Sequence, residues 1–192
     1  MPVKCIPLLV LTWHTALSVV CAQKHYQSAQ PSLHALAVEG IAMLPLERER
    51  LANQLAAYVV NVTALSKDAD KHLWSCRILG MALTLHPQNP RARRTDTHLA
   101  RGLELKPIAM DLETSVLAKF LYQRAQQLLK AENAEVSENA VVARYLIALS
   151  AQVDPYFEEA VYAHELHRID GLAPDWQQIT GRKTSENTGT RD

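Results

Sequence analysis

A chain of 192 residues, 48% of them hydrophobic, has the length of one ordinary domain and enough apolar material to fill a core. Twenty basic side chains balance twenty acidic ones, so the formal net charge is zero and no chain-wide field draws the protein to nucleic acid or to an anionic membrane. Recognition of a partner is then expected to rest on surface shape and local chemistry.

The chain opens with Lys4, an apolar run from Ile6 to Val20, and Val20-Cys21-Ala22 before Gln23. That order matches a secretory signal peptide over residues 1–22, cut after Ala22. A membrane anchor or a buried helix would use the same residues, but the 15 residues from Ile6 to Val20 fall short of the roughly 20 that span a bilayer. A lipoprotein would keep Cys21 as its acylated first residue, yet Val20 puts a bulky side chain where that processing wants a small one. Export to a periplasm or to the outside is therefore the expectation, and no later stretch is long and apolar enough to cross a membrane. Removing 22 of 192 residues leaves 170, with 19 basic and 20 acidic side chains, a charge of −1. Only Cys76 remains, so packing has to hold the fold without an internal disulfide. Its setting, HLWSCRILG, is helical and mostly apolar and reads as that of a buried, inert thiol.

Residues 23–32, QKHYQSAQPS, are polar and contain a proline, which suggests a short flexible leader before a single helical domain over 33–172. A first helix over 33–44 ends against Pro45. A second, about 46–65, sets Leu51, Leu55, Tyr58, Val59, Val62 and Leu65 on one stripe. After a break at Ser66-Lys67-Asp68, a third runs to Leu85 with Leu73, Cys76, Leu79 and Ala82 inward. Pro87 and Pro90 bracket a turn, with Asn89 as a cap for a polar fourth helix over 90–104. Asp111 caps a fifth helix reaching about Ala131, on which Leu112, Val116, Leu117, Phe120, Leu121, Leu128 and Leu129 share a face. A polar connection over 131–137 leads to a sixth helix at 138–153, and Asp154-Pro155 opens a seventh that buries Phe157, Ala160, Val161 and Leu166. No segment alternates in the manner of a strand, so the fold class is all-α with about seven helices. Residues 173–192 end in GRKTSENTGTRD, without apolar residues, and are expected to be mostly disordered.

The chain also overlays on itself. Ile78 to Ala92 matches Leu146 to Ala160, pairing Leu79 with Ile147, Met81 with Leu149, Leu85 with Val153, Pro87 with Pro155 and Ala92 with Ala160. The offset, 155 minus 87, is 68 residues, and it carries the helix at 44–63 onto 112–131 and the break at Ser66 onto Ala134. A three-helix unit is thus used twice. Since 68 is twice 34, the chain resembles a divergent tetratricopeptide array. Ala82-Leu83-x-Leu85-x-Pro87-x-Asn89 is similar to the end of that family's second helix and its turn, and Ser150-Ala151-x-Val153-Asp154-Pro155 with Ala160 is a weaker match. The family's Trp, Leu-Gly and Tyr are replaced by Val59, Val62-Thr63 and Ser66 in one copy and by Gln127, Lys130-Ala131 and Ala134 in the other, while Leu121 stands where a middle proline belongs. The resemblance implies antiparallel helical hairpins, stacked into a layer with a concave face that binds protein or peptide. A compact bundle of seven helices carrying a relic duplication satisfies the same packing rules.

Two clusters carry candidate chemistry. His164-Glu165-Leu166-His167 suggests a metal site, but zinc-peptidase helices place their histidines four apart, these are three apart, and no third ligand is identifiable. A solvated or locally paired helix face accounts for them as well. His72, Trp74 and Cys76 point to different sides of their helix. Arg91, Arg93, Arg94 and Arg101 form the one basic cluster, able to dock an acidic partner or a phosphate unless Glu47, Glu49, Asp68 and Asp70 neutralise it. With six glycines there is no phosphate loop or nucleophile elbow. Asn61-Val62-Thr63 fits a glycan acceptor, but inside a helix. The expectation is a non-catalytic, cofactor-free exported repeat protein that binds a protein or peptide, not nucleic acid, through Arg91, Arg94, His98 and Arg101. The alternatives are a small metal-dependent enzyme or ligand carrier using His164 and His167, and a structural module of an envelope assembly.

Overall fold

The computed structural model describes residues 26–31, 36, 40–65, 70–131 and 137–181, and every regular element among them is a helix. The expected signal peptide, most of the expected first helix, the break at 66–68 and most of the 131–137 connection lie outside the described residues. Seven helices follow in order: α1 (Pro45–Leu65), α2 (Asp70–Leu85), α3 (Pro90–Ala100), α4 (Thr114–Lys130), α5 (Glu138–Val153), α6 (Glu158–Ile169) and α7 (Trp176–Thr180). The protein is all-α, and no described helix is long and apolar enough to cross a membrane.

Local chemistry sets the boundaries. Asn89 Oδ1 accepts the Ala92 amide at 2.9 Å and Pro90 takes the first helical position of α3. That helix stops at Ala100 instead of 104, because Gly102 turns left-handed at φ 65° and the Leu103 amide closes back on His98 O at 2.9 Å. Asp111 does not cap α4; its carboxylate accepts Gln54 Nε2 at 2.5 Å, and Glu113 occupies the cap position without a side-chain bond. Nor does α6 open at Pro155. Asp154 takes the Tyr156 amide at 3.0 Å and the Phe157 amide at 3.1 Å, so a turn consumes those residues first.

One core joins all of this. α1 lies along α2 and α4 along α5, each pair linked by a short connection and therefore antiparallel. α3 covers both helices of its pair, whereas α6 leans on α5. Leu51, Leu55, Leu79, Met81, Leu117, Leu121, Leu146 and Leu149 are almost fully buried in a single cluster, and so is Cys76. Ser150 Oγ donates to Ala118 O at 2.7 Å between α5 and α4, and Arg124 of α4 meets Glu47 of α1 at 2.7 Å. Adding 68 to the ends of α2 gives 138 and 153, the ends of α5, and 90 plus 68 gives 158, the start of α6. Ala92 and Ala160 are both at 0% exposure where each third helix lands on its pair. The correspondence stops at α1 and α4: Leu51, Leu55 and Val59 are buried, while Lys119, Gln123 and Gln127 at the same offset are exposed.

The first and last described segments depart from expectation. Residues 26–31 are no loose leader: Tyr26 and Ala29 are buried, and Asp96 of α3 accepts the Tyr26 hydroxyl (2.6 Å), the Ser28 hydroxyl and the Ala29 amide (2.8 Å). A polar sequence is held here because a carboxylate on α3 gathers its donors. At the other end, the stretch expected to be mostly disordered over 173–192 contains α7, capped by Asp175 accepting the Gln177 amide at 2.9 Å, while 182–192 lie outside the described residues. Ile179 is fully buried, and the α7 backbone comes so near α2 that a Cβ at Gly80 would collide with the Ile179 carbonyl. Residues 40–44, the described end of the expected first helix, form turns rather than α-helix, with the Ala42 amide on Asn139 Oδ1 at 2.8 Å. Among the described residues there are seven helices, and α7 is one that the sequence reading did not include.

Candidate functional site

Beyond Gly102 the chain runs extended along α1 before α4 begins. Asn61 fixes it there with both ends of its amide, Nδ2 to Ile108 O at 2.9 Å and Oδ1 from Ile108 N at 2.8 Å. The Gln54 to Asp111 bond holds the next turn. Asn89 Nδ2 also donates to Asn53 Oδ1 at 3.0 Å, pinning the first turn of α3 to α1. Between α1, α3 and this segment lies an open cavity of about 660 Å³.

Arg91, Arg94 and His98, at steps of three and four, put one face of α3 toward it. Lys106 and Glu104 come from the opposite wall, and Val60, Pro90, Leu105 and Ile108 give an apolar floor. Glu104 is the sole carboxylate in that lining. Of the acids that could have neutralised the cluster, Glu47 pairs with Arg124 and Asp68 lies outside the described residues, and no ion pair among the described residues involves Arg91, Arg94 or Lys106. Arg93 turns away to Pro87 O at 2.8 Å, and Arg101, at the exposed end of α3, is not part of the lining. Three of the four expected contact residues are thus brought together and the fourth is not. Lys106, Asn53 and the Asn61 clamp are additions that spacing on one helix could not disclose.

His164 and His167 lie on α6, and the Nδ1 of each is shielded from solvent without a hydrogen-bond partner. Burial holds His164 below the usual imidazole range, and burial followed by the Arg144 charge does the same for His167. Glu165 between them is turned to Arg168 at 2.8 Å, a bond that lowers its carboxyl. Among the described residues no three His, Cys, Asp or Glu side chains converge as a metal site would require. His164 instead lines a second cavity of about 610 Å³. The outer face of α6 carries Tyr162, Leu166 and Ile169 exposed, so Leu166, expected inside, faces out.

No protein-family model, curated protein or solved structure matches the chain. The functional reading therefore rests on these side chains.

Proposed function

We propose that the chain is an exported, non-catalytic helical-repeat protein, tetratricopeptide-like in descent, that binds a protein or peptide partner through the α3 cavity. The supporting observation is the group Arg91, Arg94, His98 and Lys106, in no ion pair among the described residues and set over the apolar floor of Val60, Leu105 and Ile108. That combination fits an acidic segment with one or two apolar side chains. Surface ion pairs contribute only about 0.2–1 kcal/mol each. Burying one leucine-sized side chain adds about 1.5–3 kcal/mol, so charge would select the partner and the floor would hold it.

The test is direct. Fluorescence anisotropy with labelled decapeptides that alternate Glu or Asp with Leu should show saturable binding, and the same peptides with Lys in place of the acids should not bind. The double variant Arg91→Glu/Arg94→Glu should lose the acidic peptides while keeping its far-ultraviolet circular dichroism. Equal affinity for acidic and basic peptides would refute the assignment.

A further inference from the structure

The second cavity lies where the two three-helix units meet. α1 and α2 give one wall through Tyr58, Val62 and Trp74, and α5, its following turn and α6 give the other through Gln152, Pro155 and His164. Its volume of about 610 Å³ falls within the roughly 300–1,000 Å³ of small-molecule sites. Most of the wall is apolar, and the polar atoms in it are few.

Two residues of the lining carry a polar atom without a partner. Gln152 Oε1 and His164 Nδ1 are both shielded from solvent and make no hydrogen bond within the chain. Such groups are normally satisfied, and a turn of the Gln152 side chain would bring its amide to the cavity, where a bound donor could meet it. The lining also includes Lys71, which no carboxylate among the described residues pairs with, since Glu165, the acid in this lining, is bonded to Arg168. The Trp74 ring is held in place by a cation: the Arg77 guanidinium lies 5.5 Å from its centroid and 5.0 Å from that of Trp176, and Arg77 is itself buried. A fixed indole, a tyrosine and a proline give flat faces suited to an aromatic ring.

We infer that this cavity binds a small aromatic monoanion carrying a hydrogen-bond donor, its acid group at Lys71, its ring against Trp74 and Tyr58, and its donor at the Gln152 amide. The site is separate from the α3 cavity, with which it shares no lining residue. Occupation would bridge the two units, because opposite walls belong to different ones.

The probe is 6-hydroxy-2-naphthoate, titrated into the purified protein by calorimetry, with 2-naphthol as its uncharged analogue. One saturable site is expected. Lys71→Ala should weaken the acid about tenfold, the scale of one charge-assisted hydrogen bond, and change the naphthol little. Ala151→Trp, which places an indole in the cavity, should abolish both while the cooperative thermal transition persists. Arg91→Glu/Arg94→Glu should leave the affinity as it was, so failure here is distinct from failure of the peptide site. Absence of saturable heat with the unaltered protein, undiminished binding by Ala151→Trp, or loss of binding on reversing Arg91 and Arg94 would each overturn the assignment.

Discussion

The Tyr26 hydroxyl donates to Asp96 Oδ1 at 2.6 Å, across 70 residues of sequence. Asp96 accepts two further donors from Ser28 and Ala29, so a buried carboxylate on α3 is the anchor of the whole 26–31 segment. Asp96→Ala strands those donors, which should cost about 2–4 kcal/mol at roughly 1–3 kcal/mol per unsatisfied buried group, partly relieved by water. At about 2–4 °C per kcal/mol for a chain of this size, thermal unfolding should drop by about 5–15 °C. Limited proteolysis should then cut near Tyr26 before anything else, and an unchanged digestion pattern would show the segment to be held otherwise.

Gly80→Ala tests the docking of α7. In an exposed helix this change favours the helix by about 1 kcal/mol. Here the new methyl would meet the Ile179 carbonyl, which is backbone and can yield only by moving α7. A net loss of about 1–3 kcal/mol is expected, as for an overpacked core. Hydrogen exchange at the Gly181 amide, bonded to Gln177 O at 2.8 Å, should accelerate with it.

Asn61→Ala leaves every charge of the α3 cavity in place but removes both bonds to Ile108. Those bonds hold the wall that carries Lys106, and at about 0.5–1.5 kcal/mol each their loss should free it. Acidic-peptide affinity should fall about three- to tenfold, with stability lowered by about 1–3 kcal/mol at most. The same geometry predicts that Asn61 stays unmodified if the protein is expressed through a glycosylating secretory pathway, which intact-mass measurement would check.

Acid should destabilise the fold through α6. His164 and His167 take protons less readily in the folded chain, so below the ordinary imidazole value of about 6.5 the unfolded state binds more protons and stability falls with pH. The contribution is present above that value and is lost below it. Melting temperatures should be lower near pH 5 than near pH 7.5, and His164→Gln/His167→Gln should narrow the gap. A double variant with the same pH response would place the sensitivity in other groups.

Much of the helical layout was legible because periodicity and punctuation agreed. Leu51, Leu55 and Val59 mark α1, and Asn89-Pro90 marks the start of α3. The offset of 68 also located α5 from α2, since both are buried over nearly the same positions. α7 was missed for a physical reason: five residues holding only Trp176 and Ile179 show no stripe, and the helix exists through Tyr145, Trp176 and the bare backbone at Gly80. Residues 26–31 were misread because their polarity suggests solvent, whereas it is matched by Asp96 far along the chain. At the cavity the spacing of Arg91, Arg94 and His98 was visible along one helix. Lys106 was not, because its place depends on a side-chain clamp to another element.

The amide of Gln30 donates to Thr180 O at 3.1 Å, so the first and last described segments clasp one another beside α2. In topological terms the fold is nearly a ring. A short linker from Gly181 to Tyr26, with new termini opened at the exposed left-handed turn of Gly102, would then yield a circular permutant that keeps every described helix and the donors to Asp96. Anything that pulls on one end is also felt at the other, and the two should detach in a single step.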